Sequence, residues 1–262
     1  MAMTKTERLA IKSLIIQCLQ KKFDDYDLQD RTEMPFHNHL LGKDNMSLFS
    51  FIHSLNTVFG TVIYGPVAKK LATSNFKEVV CEKKLESVIS EGAQQAINRI
   101  KNDLERSQAN PNQKEEVKKI RKVCRVGSPV NIQLRRADIY LVDASGRHYP
   151  IDIKTAKPNI DGFEKYKENI LKWTAAVLYQ NPKANVSAML ALPYNPYYPE
   201  KYRHFTKRKM IEEGTQLKVG GEFWNFLAGK DVYEDLLNCF KYAGIEMRNQ
   251  IDEYFEQFGG NN

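Results

Sequence analysis

Three side chains on one short stretch of this chain have the types and spacing of a metal-dependent hydrolytic site. Asp138 opens the apolar run Asp138-Ile-Tyr-Leu-Val142, and Asp152-Ile-Lys154 closes a second run after the turn Ala144-Ser-Gly-Arg147. This pattern reads as a β-hairpin. Strand side chains alternate, so Asp152 and Lys154 share one face while Ile151 and Ile153 point into a core. Pairing through the turn brings Asp138 close to Asp152. Mg²⁺ keeps several waters, so two carboxylates and one backbone carbonyl, that of Ile153, are sufficient protein ligands. Such an ion lowers the pKa of a bound water and neutralises charge developing at phosphorus, which are the two needs of phosphodiester hydrolysis. Lys154 would orient or deprotonate the attacking water and offset phosphate charge.

The elements that must hold this hairpin can be read from periodicity and punctuation. Thr4-Lys-Thr-Glu7 has the form of a capping box, with a helix following it. An acidic, polar stretch from Asp24 to Glu33 reads as a linker. Met46–Phe59 predicts a helix punctuated by Gly60 and Gly65-Pro66, with a further helix from about Pro66 to Ala72. Glu82–Arg106 carries an apolar stripe (Leu85, Val88, Ile89, Ala93, Ile97, Ile100, Leu104) and predicts one amphipathic helix. Beyond the hairpin a helix is expected over Gly162–Tyr179 and a buried strand over Val186–Leu192. Helices over Gly221–Leu227 and Val232–Phe258 complete the chain. The predicted fold class is α/β: a mixed central sheet flanked by helices, with additional N- and C-terminal helices. We expect a single nuclease domain over residues 1–262, with a helical part at 1–75 and a catalytic core at 76–262.

Composition narrows the class. At 262 residues with 42% hydrophobic content the chain can bury a core without disulfides or structural metal. Cys18, Cys81, Cys124 and Cys239 are widely spaced, without CxxC or zinc-site partners, and read as free thiols. No run approaches the roughly 18 apolar residues that span a bilayer, and the N-terminus lacks a signal-peptide pattern. A cytoplasmic location is therefore expected. No Gly-rich phosphate loop or GxSxG elbow is present, which argues against kinase, ATPase and serine-hydrolase chemistry. The net charge of +7 gathers at Lys114–Arg125, Arg135-Arg136, Lys154–Lys157 and Lys201–Lys209. Three of those clusters lie within or beside the hairpin and its sequel, as a polyanionic substrate would require.

The hairpin resembles the catalytic half-motifs of the PD-(D/E)xK nuclease superfamily, with Ala137-Asp138 in place of Pro-Asp and Asp152-Ile-Lys154 as the second half. Met34-Pro-Phe-His-Asn-His-Leu-Leu-Gly42, Phe51-Ile-His-Ser-Leu-Asn-Thr-Val-Phe-Gly60 and Gly220-Gly-Glu-Phe-Trp-Asn-Phe-Leu-Ala-Gly229 are similar to segments of TdeIII-like type II restriction endonucleases. With the hairpin, they carry the resemblance from about residue 34 to the C-terminus. It implies Mg²⁺-dependent cleavage of double-stranded DNA at a short palindromic site, leaving 5′-phosphate ends; members of this group are similar to enzymes recognising GGNCC-type sequences. It also implies a homodimer, because two strands need two active sites, and a cognate methyltransferase in the same system.

Many enzymes of the superfamily add an acid from a helix preceding the hairpin; Glu91 is the candidate, with Glu86 and Glu82 as competitors. Arg135 and Arg136 flank the catalytic strand as phosphate clamps, and alternation lets one of them face DNA. Lys157 could touch a phosphate or be a solvated strand-end lysine. The tyrosine-rich segment Tyr194–Lys209 offers Arg203, Lys207 and Arg208 to DNA; arginine reads guanine edges best. His37 and His39 lack a third ligand and read as capping residues, while Trp173 and Trp224 read as core. Two further readings compete: a junction- or damage-directed nuclease with the same hairpin, and a DNA-binding protein without chemistry.

Overall fold

The computed structural model of the chain describes residues 2–24, 34–154, 160–203 and 210–256. Two compact units divide it, residues 1–67 with 232–262 and residues 68–231.

The first unit is helical. It holds α1 (Lys5–Asp24), α2 (Pro35–Leu41), α3 (Lys43–Val58), a π-helical turn (Phe59–Ile63), the start of α4 (Tyr64–Ala72), and the late helices α9 (Tyr233–Glu246) and α10 (Arg248–Glu256). The predicted capping box is present: Thr4 N donates to the Glu7 carboxylate at 2.7 Å and Glu7 N to Thr4 Oγ1 at 3.2 Å. Packing of α1 on α9 buries Ile11, Ile15, Leu236 and Ala243, and Arg8 pairs with Asp235 at 3.3 Å on the rim. Gly60 and Gly65-Pro66 do not break the chain, contrary to the punctuation reading. The helix runs on because Tyr64 N reaches back five residues to Phe59 O, and the missing donor of Pro66 falls beside that wider turn. Asn45–Ala72 is consequently one helix, with a window of mean hydropathy 1.4 that is 22% buried. By length and composition it could cross a bilayer, against the expectation that no segment would qualify. The single long helix expected over Val232–Phe258 divides at Met247, between α9 and α10.

The second unit is the mixed α/β fold that was predicted. Its six-stranded sheet runs β1 (Glu78–Lys83), β4 (Ala137–Val142), β5 (Arg147–Ile153), β7 (Met189–Leu192), β8 (Leu217–Val219), with β6 (Asn185–Val186) also on β5. The β1–β4–β5 part is antiparallel, and β5 pairs with β6 and β7, and β7 with β8, in parallel. A two-stranded sheet joins β2 (Val88–Ser90) and β3 (Pro129–Asn131). On one face α5 (Glu91–Glu105), α6 (Gln113–Val123) and α7 (Ile160–Gln180) bury Ile97, Ile120, Ile170 and Trp173 against Tyr140, Val142, Leu190 and Leu192. On the other, Phe226 of α8 (Gly221–Ala228) packs edge-on against Tyr149 and Phe76.

Two sequence expectations are corrected here. The stretch Glu82–Ser90 is not the start of a helix: Val79, Val80 and Cys81 pair with β4, and the helix begins only after Ser90, whose hydroxyl caps it by accepting from Ala93 N at 3.1 Å. The apolar stripe is genuine, but its first turns belong to strands that pack on the same core. The strand expected over Val186–Leu192 is two strands, because β5 exchanges partners from β6 to β7 at this level. That exchange also explains a proline in a central strand. Pro150 sits where β6 gives way to β7, so its missing N–H interrupts no parallel ladder bond.

Candidate active site

The β4–β5 hairpin closes on a tight turn organised by Asp143. Its Oδ1 accepts from Ser145 N at 2.9 Å and Arg147 N at 3.0 Å, and its Oδ2 from the Tyr149 hydroxyl at 2.8 Å. A small burial penalty is outweighed by these hydrogen bonds, which lower the Asp143 pKa to about 2. The turn sets the register Ile139↔Ile151, and one further step places Asp138 across from Asp152, on the same face.

Asp138, Asp152 and Lys154 meet there as the sequence predicted. Asp138 Oδ2 accepts from Ile153 N at 2.6 Å and lies 3.3 Å from Lys154 Nζ. Asp152 Oδ1 pairs with the same ammonium at 2.6 Å, and the Ile153 carbonyl oxygen is 3.3 Å from it. One ammonium is thus ringed by an oxygen from each of the three groups expected to hold a cation. Asp152 is only 3% exposed, and its Oδ2 accepts no hydrogen bond among the described residues. An all-oxygen set with an orphaned, buried carboxylate oxygen suits a hard divalent cation.

Burial is the largest influence on Asp152; Asp138 adds to it and Lys154 opposes it, leaving the carboxyl raised to about 7. For Lys154 burial disfavours the charge, but the two aspartates overcome it and raise its pKa. The lysine is therefore an ammonium at neutral pH. A raised carboxyl pKa means that the folded, metal-free protein binds a proton that the unfolded chain has released. The associated stability is complete below about pH 3.8 and is lost as pH rises through about 7. Asp152→Asn should therefore melt progressively higher than wild type as pH rises from 5 to 8 in EDTA. A constant difference in melting temperature across that range would contradict this.

The other sequence candidates separate clearly. Glu91 sits at the start of α5, and its carboxylate accepts from Ser128 N at 3.1 Å beside Gly127. It fastens the β3 approach and is not brought to the trio. Glu86 bonds the side-chain amide of Gln180. Glu82 comes nearest in register: its position on β1 falls opposite Asp138, and its φ of 51° is in the left-handed region. No third His, Cys, Asp or Glu completes a metal-binding group with the aspartates among the described residues. Arg135 and Arg136 are exposed just before β4, and Arg203 is exposed with its guanidinium 5.8 Å from the Tyr197 ring. Tyr202 of that segment is buried and meets Tyr197 edge-on, so those two rings pack inward. Lys157, Lys207 and Arg208 lie outside the described residues.

Two features escaped the sequence reading. Tyr166 of α7 is half-buried, within electrostatic reach of Asp152, Lys154, Arg135 and Asp138. Deeper in the unit, Lys167 is fully buried and its ammonium meets both oxygens of Glu116, at 2.6 and 2.7 Å, and Gln216 Oε1 at 2.8 Å. A lysine two turns into an amphipathic helix carries no sign of such burial, because its partner lies 51 residues away.

The chain is similar to several type II restriction enzymes. It is 22% identical to HgiCII of Herpetosiphon aurantiacus over 83% of this chain and 80% of the relative. Against HgiEI of the same organism the identity is 21%, over 89% and 87%. MjaII of Methanocaldococcus jannaschii is 26% identical over 86% of this chain and 66% of its own. The model of the type II restriction endonuclease family HinfI matches residues 3–244, a span that takes in all of the second unit with the whole hairpin, and most of the first. The chain therefore belongs to the HinfI family of type II restriction endonucleases, and is a site-specific deoxyribonuclease.

Proposed function

We propose that the chain cleaves both strands of DNA in a Mg²⁺-dependent reaction centred on Asp138, Asp152 and Lys154. The observation that carries this reading is the ring of three oxygens around one ammonium, with Asp152 Oδ2 left over. Asp138, Asp152 and the Ile153 carbonyl would hold the cation. When bound, Mg²⁺ supplies a water of lowered pKa and offsets charge on the phosphate. Lys154, held protonated by the aspartates, serves as a charge for the phosphate and a donor that orients the water, and is a poor base. Addition of water at phosphorus breaks the bond to the 3′ oxygen, giving 5′-phosphate and 3′-hydroxyl ends.

The remaining assignments complete the proposal. Arg135 or Arg136 clamps the backbone, Arg203 faces the bases, and Lys157, Lys207 and Arg208 add positive charge for the DNA. Glu91 is structural, and Glu82 is the better-placed additional acid. The whole chain acts as one nuclease, residues 1–75 supporting the core at 76–262. Two copies act together, since each chain has one trio and the duplex has two strands. The enzyme works in the cytoplasm beside a methyltransferase of matching specificity, within the TdeIII-like subgroup and on a short palindromic site.

Plasmid digestion tests the reading. Discrete fragments with ligatable 5′-phosphate ends are expected in Mg²⁺ and none in EDTA. Cutting restricted to branched DNA, or binding without cleavage in Mg²⁺ and Mn²⁺, would refute it.

A further inference from the structure

A groove of about 320 Å³ runs between α7 and the segment entering β4, three residues before Asp138 at its Arg135 end. From α7 it is lined by Lys165, Glu168, Asn169 and Lys172, and from the other side by Gln133 and Arg135. Residues 165, 168, 169 and 172 share one helical face. Glu168 is the groove's only carboxylate among the described residues, and it is already bonded by Lys101 and, at 2.7 Å, by Lys172. Arg135 and Lys165 are exposed and make no ion pair among the described residues. Four cations therefore surround one carboxylate. The wall is rigid: the buried Trp173 indole N–H donates to the Arg135 carbonyl at 2.8 Å, and Asn169 is buried beneath.

We propose that this groove is a backbone-phosphate site for the DNA strand entering the trio, with Arg135 and Lys165 as its phosphate-binding residues. The inference rests on the nuclease reading above. Tyr166, next to Lys165, senses the charge of Arg135 together with those of Asp138, Asp152 and Lys154, so groove and trio form one electrostatic neighbourhood. From Lys165 to Lys172 the helix rises about 10 Å. That is the axial rise of about three nucleotides of one strand, at roughly 3.4 Å each. The groove is open to solvent, so a polyanion can reach it. Arginine and lysine side chains on a fixed wall position a strand without reading it.

The test is metal-free binding to a short duplex carrying a mapped cleavage site, measured by fluorescence anisotropy across a salt series. Each phosphate neutralised contributes about 0.9 to the slope of log K against log salt. R135A/K165A should lower that slope by about 2 relative to wild type and weaken binding about equally for duplexes with and without the site. Lys183→Ala, an exposed lysine beyond the far end of α7, should leave the slope unchanged. Should the double variant not fold, K165Q alone is expected to lower the slope by about 1. An unchanged slope, or an equal loss in Lys183→Ala, overturns the proposal. So does Lys165-dependent binding of inorganic phosphate with the DNA slope intact, which would make this a free-anion site. If wild-type protein cuts no duplex in Mg²⁺, the nuclease reading itself fails; normal cutting with an unaltered slope removes only the groove.

Discussion

Asp152→Ala is expected to reduce DNA cleavage in Mg²⁺ by at least about 10³-fold, the upper end of what loss of one preorganised electrostatic group costs, while leaving most DNA affinity in place. The asymmetry follows from position. Asp152 is buried and spends its charge on Lys154 and on the proposed cation, so little of it reaches a DNA strand. Its removal also leaves the Lys154 ammonium with Asp138 Oδ2 and the Ile153 carbonyl as its remaining oxygens. A steady-state assay on plasmid, paired with metal-free binding, separates the two effects. Cleavage within tenfold of wild type would remove Asp152 from the mechanism.

The second large effect concerns stability. Glu116→Ala would strand the Lys167 ammonium in the core with the Gln216 side-chain carbonyl as its remaining hydrogen-bond acceptor among the described residues. Breaking a buried pair of this kind costs about 3–5 kcal/mol, because an uncompensated charge remains. Burial already lowers the Lys167 pKa even with Glu116 attached, so desolvation is felt in the intact network. The loss should appear as a lower urea midpoint for the metal-free protein. A paired Glu116→Leu/Lys167→Met change should recover most of it, since well-packed apolar replacements of a buried pair are often neutral. A single-variant loss below about 1 kcal/mol would show that water or rearrangement satisfies the lysine instead.

The hairpin was legible because everything that defines it is local. Asp138 and Lys154 are separated by one turn, and strand alternation alone fixes which side chains share a face. The capping box at Thr4 and the helix after residue 160 were readable for the same reason. What could not be read depended on distant partners. Val79–Cys81 becomes a strand through pairing with β4, nearly 60 residues on, while its sequel through Leu104 keeps a helical stripe that invites a single-helix reading. The single-helix reading also put Glu82 on a helix, whereas it falls on β1 with its position opposite Asp138. The basic stretch Lys114–Arg125 likewise has most of its cations exposed, with one distant pairing that its sequence does not announce. In the folded chain it is α6, and its one buried acid, Glu116, finds its cation on α7. The family resemblance reached the right enzyme class, and the match that establishes the class is the broader HinfI family. That membership leaves the resolvase and non-catalytic readings without support.

The exchange of partners along β5 has a wider consequence. The two aspartates and the lysine are aligned by pairing among β4, β5 and β7, whose ladder ends at Ile153 and Ala191. That pairing is made by residues 139–142, 148–153 and 189–191. A blade fixed by main-chain pairing, with its edge where the strands stop, can be joined to different readers without being re-ground. On the proposed reading, changes of target sequence can then accumulate outside that ladder while the trio stays constant.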